Sequence, residues 1–353
     1  MTQVTRRALS TLTALVMVGT LFIGAPSPTY ANGSSFTYWV SQSGSAGSGT
    51  SCTDADFVGG DQTPIAAAVA AASSGDTIYI CAGTYAIEAT INLGGESIAL
   101  QGAAATTTIL DGGGTIGILK SVGDITVLDL TFRDGYSADD GGAIYAHTDT
   151  GAQTTIGTAA VTATVTVINS RFISNDADVD GGAIYADAVT VTTSTFTGNT
   201  ANEGGAIYGG GQSVGVSTST FTGNTAIYGG AIAAGTATVT SSTFTGNTAE
   251  EGGAILAITG TIARSRFIRN TASGHGGAVH LWAPTSDNLQ KLRGNTFTRN
   301  RAGAGGAIVL GSCGTVDPGA AKAARVERAN RFSGNRATVK RRTNNIETGY
   351  CGD

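Results

Sequence analysis

Carboxylates at a fixed spacing are the residues of this chain with the most evident chemistry. One residue stands before each of seven Gly-Gly-Ala triplets, in order Asp140, Asp180, Glu203, Tyr228, Glu251, His275 and Ala304. If the triplets stack, these side chains form a column spaced at about 5 Å. Like charges that close either fan out into water or share a cation. Asp176-x-Asp178-x-Asp180-Gly181 has the alternation that opens a calcium loop, and Asp187 falls at the twelfth position. Asp176, Asp178 and Asp180 are therefore the candidate metal ligands, and calcium is the one cofactor considered. Gly182-Ala-Ile-Tyr185 continues as strand rather than helix, so an ordinary acidic turn also accounts for these letters.

A second column is aromatic. Two residues beyond the Ala of each triplet come Tyr145, Tyr185, Tyr208, Ala233, Leu256, His280 and Val309. Placed outward, the three tyrosines offer faces on which a sugar ring can stack, with carboxylates nearby for its hydroxyls. The structural alternative is that the rings support one another across neighbouring coils. Trp282 and His280, beside an insertion from Leu281 to Arg293, complete the ligand-binding candidates, because loops on a rigid scaffold carry recognition.

The elements that must position these side chains are repeats. Phe-x-x-Asn occurs as Phe172/Asn175, Phe196/Asn199, Phe221/Asn224, Phe244/Asn247, Phe267/Asn270, Phe297/Asn300 and Phe332/Asn335. Phe132 fits with Gly135 in place of the Asn. From Phe196 to Phe267 the steps are 25, 23 and 23 residues, a period that means stacked supersecondary units. Thr, Val, Ile and Phe fill the repeats and Gly and Asn punctuate them, which is strand and turn chemistry. An aliphatic residue lies five before the Phe, from Val127 to Leu292. Five is odd, so two inward residues at that spacing require a corner between them. Ser170, Ser194, Ser219, Ser242 and Ser265 recur two before the Phe. The Asn should form a side-chain ladder within a turn. In the Gly-Gly-Ala-Ile segment the second Gly and the Ile share a face, read here as inward.

Phe-x-x-Asn paired with Gly-Gly-Ala-aliphatic, over about residues 125–340, resembles the repeat of the polymorphic outer-membrane proteins first described in chlamydiae. The resemblance implies an all-β fold, a single-stranded right-handed parallel β-helix of the pectin-lyase type. It implies a surface-associated protein, adhesin-like or structural and without catalytic activity. The same scaffold also hosts polysaccharide lyases and glycoside hydrolases, which are the alternative. Asp139-Asp140 and Gly274-His275-Gly276 are similar by letter to two pieces of a polygalacturonase site, but they lie many coils apart and cannot share one bond. The family ends in a membrane β-barrel. Little chain follows the last repeat here, so release or non-covalent retention is expected instead.

The remaining chain sets the ends. Arg6 and Arg7, the apolar run from Ala8 to Gly24 and Thr29-Tyr30-Ala31 read as an export signal over residues 1–31, with a retained anchor as the alternative. Extracellular or cell-surface localisation follows, and no transmembrane segment is expected in the mature chain. Residues 32–124 are read as cap and first coils, 125–340 as the repeat, and 341–353 as a terminal tail. Pro64 to Ala72 is the one good helix, expected to cover the end of the first coil. Cys52, Cys81, Cys313 and Cys351 suit an oxidising compartment, with local bridges Cys52–Cys81 and Cys313–Cys351 expected to tie the two ends. Residues 32–263 carry 3 basic and 20 acidic side chains, whereas 264–353 carry 15 and 5. A rod so charged has a basic end, including Lys340-Arg341-Arg342, able to meet an anionic glycan or envelope surface or the acidic end of another copy. No nucleic-acid motif accompanies it, so nucleic acid is not an expected partner.

Overall fold

The computed structural model describes residues 35–44, 46–148, 162–312, 320–338 and 345–350. The chain is a parallel β-helix. Each coil contributes short strands that pair in parallel with the same strands of the coils before and after. The phenylalanine strands make a ten-stranded ladder from Gly83–Ala86 to Arg331–Ser333, in register Phe to Phe from Phe132 to Phe332. Tyr85 and Leu110 take the Phe position in two earlier coils. The Gly-Gly-Ala-Ile strands form a second ladder, from Ile144 through Ile184, Ile207, Ile232, Ile255 and Val279 to Ile308. Valine strands such as Thr164–Ile168 and Ala188–Thr192 form a third, and at Ile232–Thr240 and Ile255–Ala263 the last two join into single strands of nine residues.

The predicted corner exists and has a cause. The residue three before the Phe sits in the left-handed region at Asp129, Asn169, Thr193, Thr218, Ser241 and Arg264, with φ between 45° and 56°. That single residue turns the chain, so the valine five before and the Phe itself both face the core. Val127, Val167, Val191, Val216, Val239, Ile262 and Leu292 are all buried, as are the phenylalanines from Phe132 to Phe297. Phe rings of successive coils stack nearly parallel with centroids 4.7 to 5.0 Å apart.

Two buried polar ladders run beside the rings. The backbone N–H and Nδ2 of each Asn donate to Oδ1 of the Asn in the next coil. For Asn199 and Asn224 both bonds are 2.9 to 3.0 Å. The second Nδ2 hydrogen goes back to the Phe carbonyl of the preceding coil, as from Asn224 to Phe196 at 3.2 Å. Every donor and acceptor of the amide is thus used, which is the condition for burying it without loss. The serine column does the same more simply: the N–H of Ser194 donates to Oγ of Ser219, and that of Ser219 to Oγ of Ser242, each at 3.1 Å.

The glycine pair needs two reasons. Gly204 has φ +60°, and a Cβ there would strike the carbonyl of Ile207. Gly205 has ordinary φ, but its Cβ would strike the carbonyls of Thr225 and Gly230 in the next coil. The second glycine therefore faces the neighbouring coil's backbone, not the interior as its spacing from Ile207 suggests. The Ile and the Ala of the triplet are what fill the core.

The ends are closed by different means. The helix Thr63–Ala71, with Pro at its start, buries Pro64, Ile65, Ala68 and Val69 over the first coil. Cys52 and Cys81 form a disulfide with Cα atoms 5.7 Å apart, tying that end as expected. Cys313 and Cys351 lie outside the described residues, as do residues 1–34 and Lys340-Arg341-Arg342. At the other end Ile346–Tyr350 adds to Ile308–Ser312, and the helix Ala320–Ala329 buries Val326 beside it. Among the described residues no helix is long and apolar enough to cross a membrane. The long step from Phe132 to Phe172 is one coil with an excursion, because Phe132 pairs with Phe172 and Val165 with Ile125.

Candidate functional site

The columns stand on the turn and strand that follow each Asn. Asp140, Asp180 and Glu203 sit at the turn, each half-buried, in adjacent coils. Burial first, then the charges of Glu203 and Asp140, push the Asp180 carboxyl up to about 6. Burial also raises Asp140 and Glu203. Beside them Tyr145, Tyr185 and Tyr208 stack with ring centroids 5.4 Å apart. Lys120 Nζ lies 5.2 Å from the centre of the Tyr145 ring. Half-buried tyrosines flanked by carboxylates keep one ring edge and several hydrogen-bonding atoms at the surface.

The three aspartates of the calcium-loop pattern diverge. Asp178 accepts a hydrogen bond from the Tyr136 hydroxyl at 2.9 Å, and Asp180 lies between Asp140 and Glu203. Asp176 lines a groove of about 470 Å³ with Asp111, Asp134 and Tyr136. Asp187 is buried and bound within the protein: it accepts from the Ala163 N–H at 2.8 Å and contacts His147 Nδ1 at 2.5 Å. Burial opposes its ionisation, but hydrogen bonds from Ala163, His147 and Thr148 outweigh this and hold the carboxyl below its ordinary value.

The aromatic column changes character along the rod. It is half-buried at the tyrosines, yet Ala233, His280 and Val309 are buried. His280 is 4% exposed, although it keeps its place in the column between the core residues Val279 and Leu281. Glu251, the His275 ring and the Trp282 ring lie against it. Trp282 is exposed, as expected, with its ring centroid 6.2 Å from that of His280. It precedes an unforeseen helix, Ser286–Lys291, capped by Thr285 and Asn288.

Around His280 the structure gathers a group the column reading did not assemble. Glu251 and His275 hold the same place in adjacent coils and are register partners. Glu251 Oε1 lies 3.2 Å from His275 Nδ1, and Glu251 Oε2 lies 3.2 Å from His280 Nδ1. Contact with His275, then His280, holds the Glu251 carboxyl far below the ordinary carboxylate range.

With corner, Ser ladder, Phe, Asn and Gly-Gly-Ala-Ile strand in place, the comparison with known families is decided by the half-coil that carries all five. Two segments of the chain match the Chlamydia polymorphic membrane protein repeat. They span residues 193–210 and 241–258, each running from a left-handed corner residue, Thr193 or Ser241, into the Ile strand. Comparison with curated proteins and with solved structures finds no match to the chain.

Toward the C-terminal end several exposed positions of the coils become arginine. Arg266 and Arg331 precede Phe267 and Phe332. Arg269 and Arg299 occupy left-handed positions two after the Phe, at φ 54° and 56°. Arg301 and Arg336 follow Asn270-ladder partners Asn300 and Asn335 and pair in register with each other. All six are exposed, two on the Phe strands, two at the turn that follows and two on the short strands beyond the Asn. Charge counting located a basic end; the repeat register shows that these six recur at three positions of successive coils.

Proposed function

We propose that this chain is a surface-associated β-helix protein of adhesin-like or structural kind, without catalytic activity, that holds an anionic envelope glycan. The observation that carries this reading is the set of exposed arginines at repeat positions of the last coils. Six exposed guanidinium groups stand on a scaffold whose coil spacing is fixed by stacked rings and amide ladders, and each can take a carboxylate or phosphate in forked geometry. Pre-set spacing suits a repeating polymer, because several weak contacts form at once. The tyrosine column and its carboxylates offer a second contact for sugar rings, and the similarity to the polymorphic membrane protein repeat supports a place at a cell surface. Export through residues 1–31 belongs to the same reading.

The test is retention of the purified chain on an immobilised anionic polysaccharide, with a neutral one beside it. Retention on the anionic polymer is expected to fall as salt rises. It is also expected to weaken at least ten-fold in the double variant Arg266→Ala, Arg301→Ala. Equal behaviour on both polymers would sink the proposal. Release of reducing ends or unsaturated products would replace it with the lyase or hydrolase reading.

A further inference from the structure

We infer that Glu251, His275 and His280 form a binding site for a divalent transition-metal ion of the zinc type. One ligand atom from each of these residues falls within 4.8 Å of the others, and among the described residues this is the group of three so placed. Two imidazoles and a carboxylate are a donor set that zinc takes readily, with a fourth position left for water. The two contacts of 3.2 Å from Glu251 are close to the separation of about 3.4 Å between donors on a tetrahedral ion with bonds near 2.1 Å.

The second observation is independent of the clustering. His280 is 4% exposed, yet both its ring nitrogens lack a hydrogen-bond partner, and so does Glu251 Oε2. The contact from His280 Nδ1 to Glu251 Oε2 has the length of an ion pair but not the alignment of a hydrogen bond. Leaving three such atoms buried is costly beside the fully bonded Asn and Ser ladders of the same coils. An ion between the rings and the carboxylate would satisfy an atom of each. His275 and Glu251 have side chains 19% and 23% exposed, so an ion has a way in.

The position also has a structural sense. The ion would clasp the coil of Glu251 to the coil of His275 and His280, immediately before the insertion that bears Trp282 and the helix Ser286–Lys291. That is where the step between phenylalanines lengthens from 23 residues to 30. The inference does not rest on glycan binding, and its experiment reads the metal directly.

Tag-free, chelator-treated chain is titrated with Zn²⁺ by calorimetry and with Co²⁺ by visible absorption. One ion per chain is expected, with the d–d absorption of a low-coordinate Co²⁺ complex. His275→Asn, at the rim, and His280→Phe, which keeps the buried ring volume, are each expected to weaken binding at least ten-fold. Asp180→Asn, in the acidic column, is expected to leave it unchanged. Absence of binding by the unmodified chain would overturn the site. So would binding that survives in His275→Asn with unchanged stoichiometry and affinity.

Discussion

At the scale of single residues, the corner before each Phe is where backbone and side chain disagree. Thr193 and Thr218 are β-branched and exposed, yet hold φ of 52° and 49°. Such residues cross into the left-handed region at a cost, whereas Asn enters it readily. The chain itself uses Asn169 and Gly294 at the same ladder position. Thr218→Asn is therefore expected to stabilise the protein by about 0.5–1 kcal/mol, read as a rise in thermal midpoint, with no change in the ladders. The corner was legible because two inward residues at odd spacing demand one. The fate of the second glycine was not, because alternation within a strand says nothing about how closely the next coil approaches. The group of Glu251, His275 and His280 was missed for a related reason. Adjacent column places showed that Glu251 and His275 are neighbours, but that His280 is covered rather than exposed depends on packing.

At the scale of elements, burial in the acidic column and the charges of its neighbours shift the titration of Asp180. The Asp180 carboxyl keeps its proton up to about pH 6 in the folded protein, against 3.8 for an ordinary aspartate. Between those values the folded state binds more protons than the unfolded one, so this group favours folding at low pH and the advantage is lost as pH rises to 6. With solvent screening of a half-buried group the effect is about 1 kcal/mol. Asp180→Asn is expected to flatten the decline in stability between pH 4 and 6, measured by urea unfolding at a series of pH values. Added Ca²⁺ that stabilised the chain at pH 7, but not this variant, would assign the ion to the column. The element pattern was legible wherever Phe and Asn both mark a coil. It failed at Tyr85 and Leu110, where the core accepts another large side chain and there is no Asn to announce the turn. The short helix Ser286–Lys291 was equally hidden, since a capping box of Thr285 and Asn288 is a weak local signal inside an insertion.

At the scale of the whole molecule, stability is the sum of coils and the interfaces between them, and the ends have one interface fewer. The Cys52–Cys81 bridge and the helix Thr63–Ala71 support the first of these ends. Cys52→Ala with Cys81→Ala is expected to cost about 2–4 kcal/mol there. Hydrogen exchange would show faster exchange in Thr37–Ser41 and Thr77–Ile80, while the Asn ladder from Asn199 to Asn270 stays protected. Charge adds a second asymmetry, since acidic columns lie toward one end and the exposed arginines toward the other. Composition alone revealed that division, whereas the recurrence of the arginines at the same coil positions needed the register of the coils.

The amide ladder has one more consequence, for inheritance. Asn224 and Asn247 make the same bonds and stand 23 residues apart, as do Phe221 and Phe244. A tandem duplication or loss of one such unit restores every rung, and the rungs also tolerate extra chain between them, since Asn270 and Asn300 stand 30 residues apart and make the same bond. A gene built this way can lengthen or shorten its product one coil at a time while the cross-section, and the surface chemistry of the coils retained, pass unchanged to the descendant.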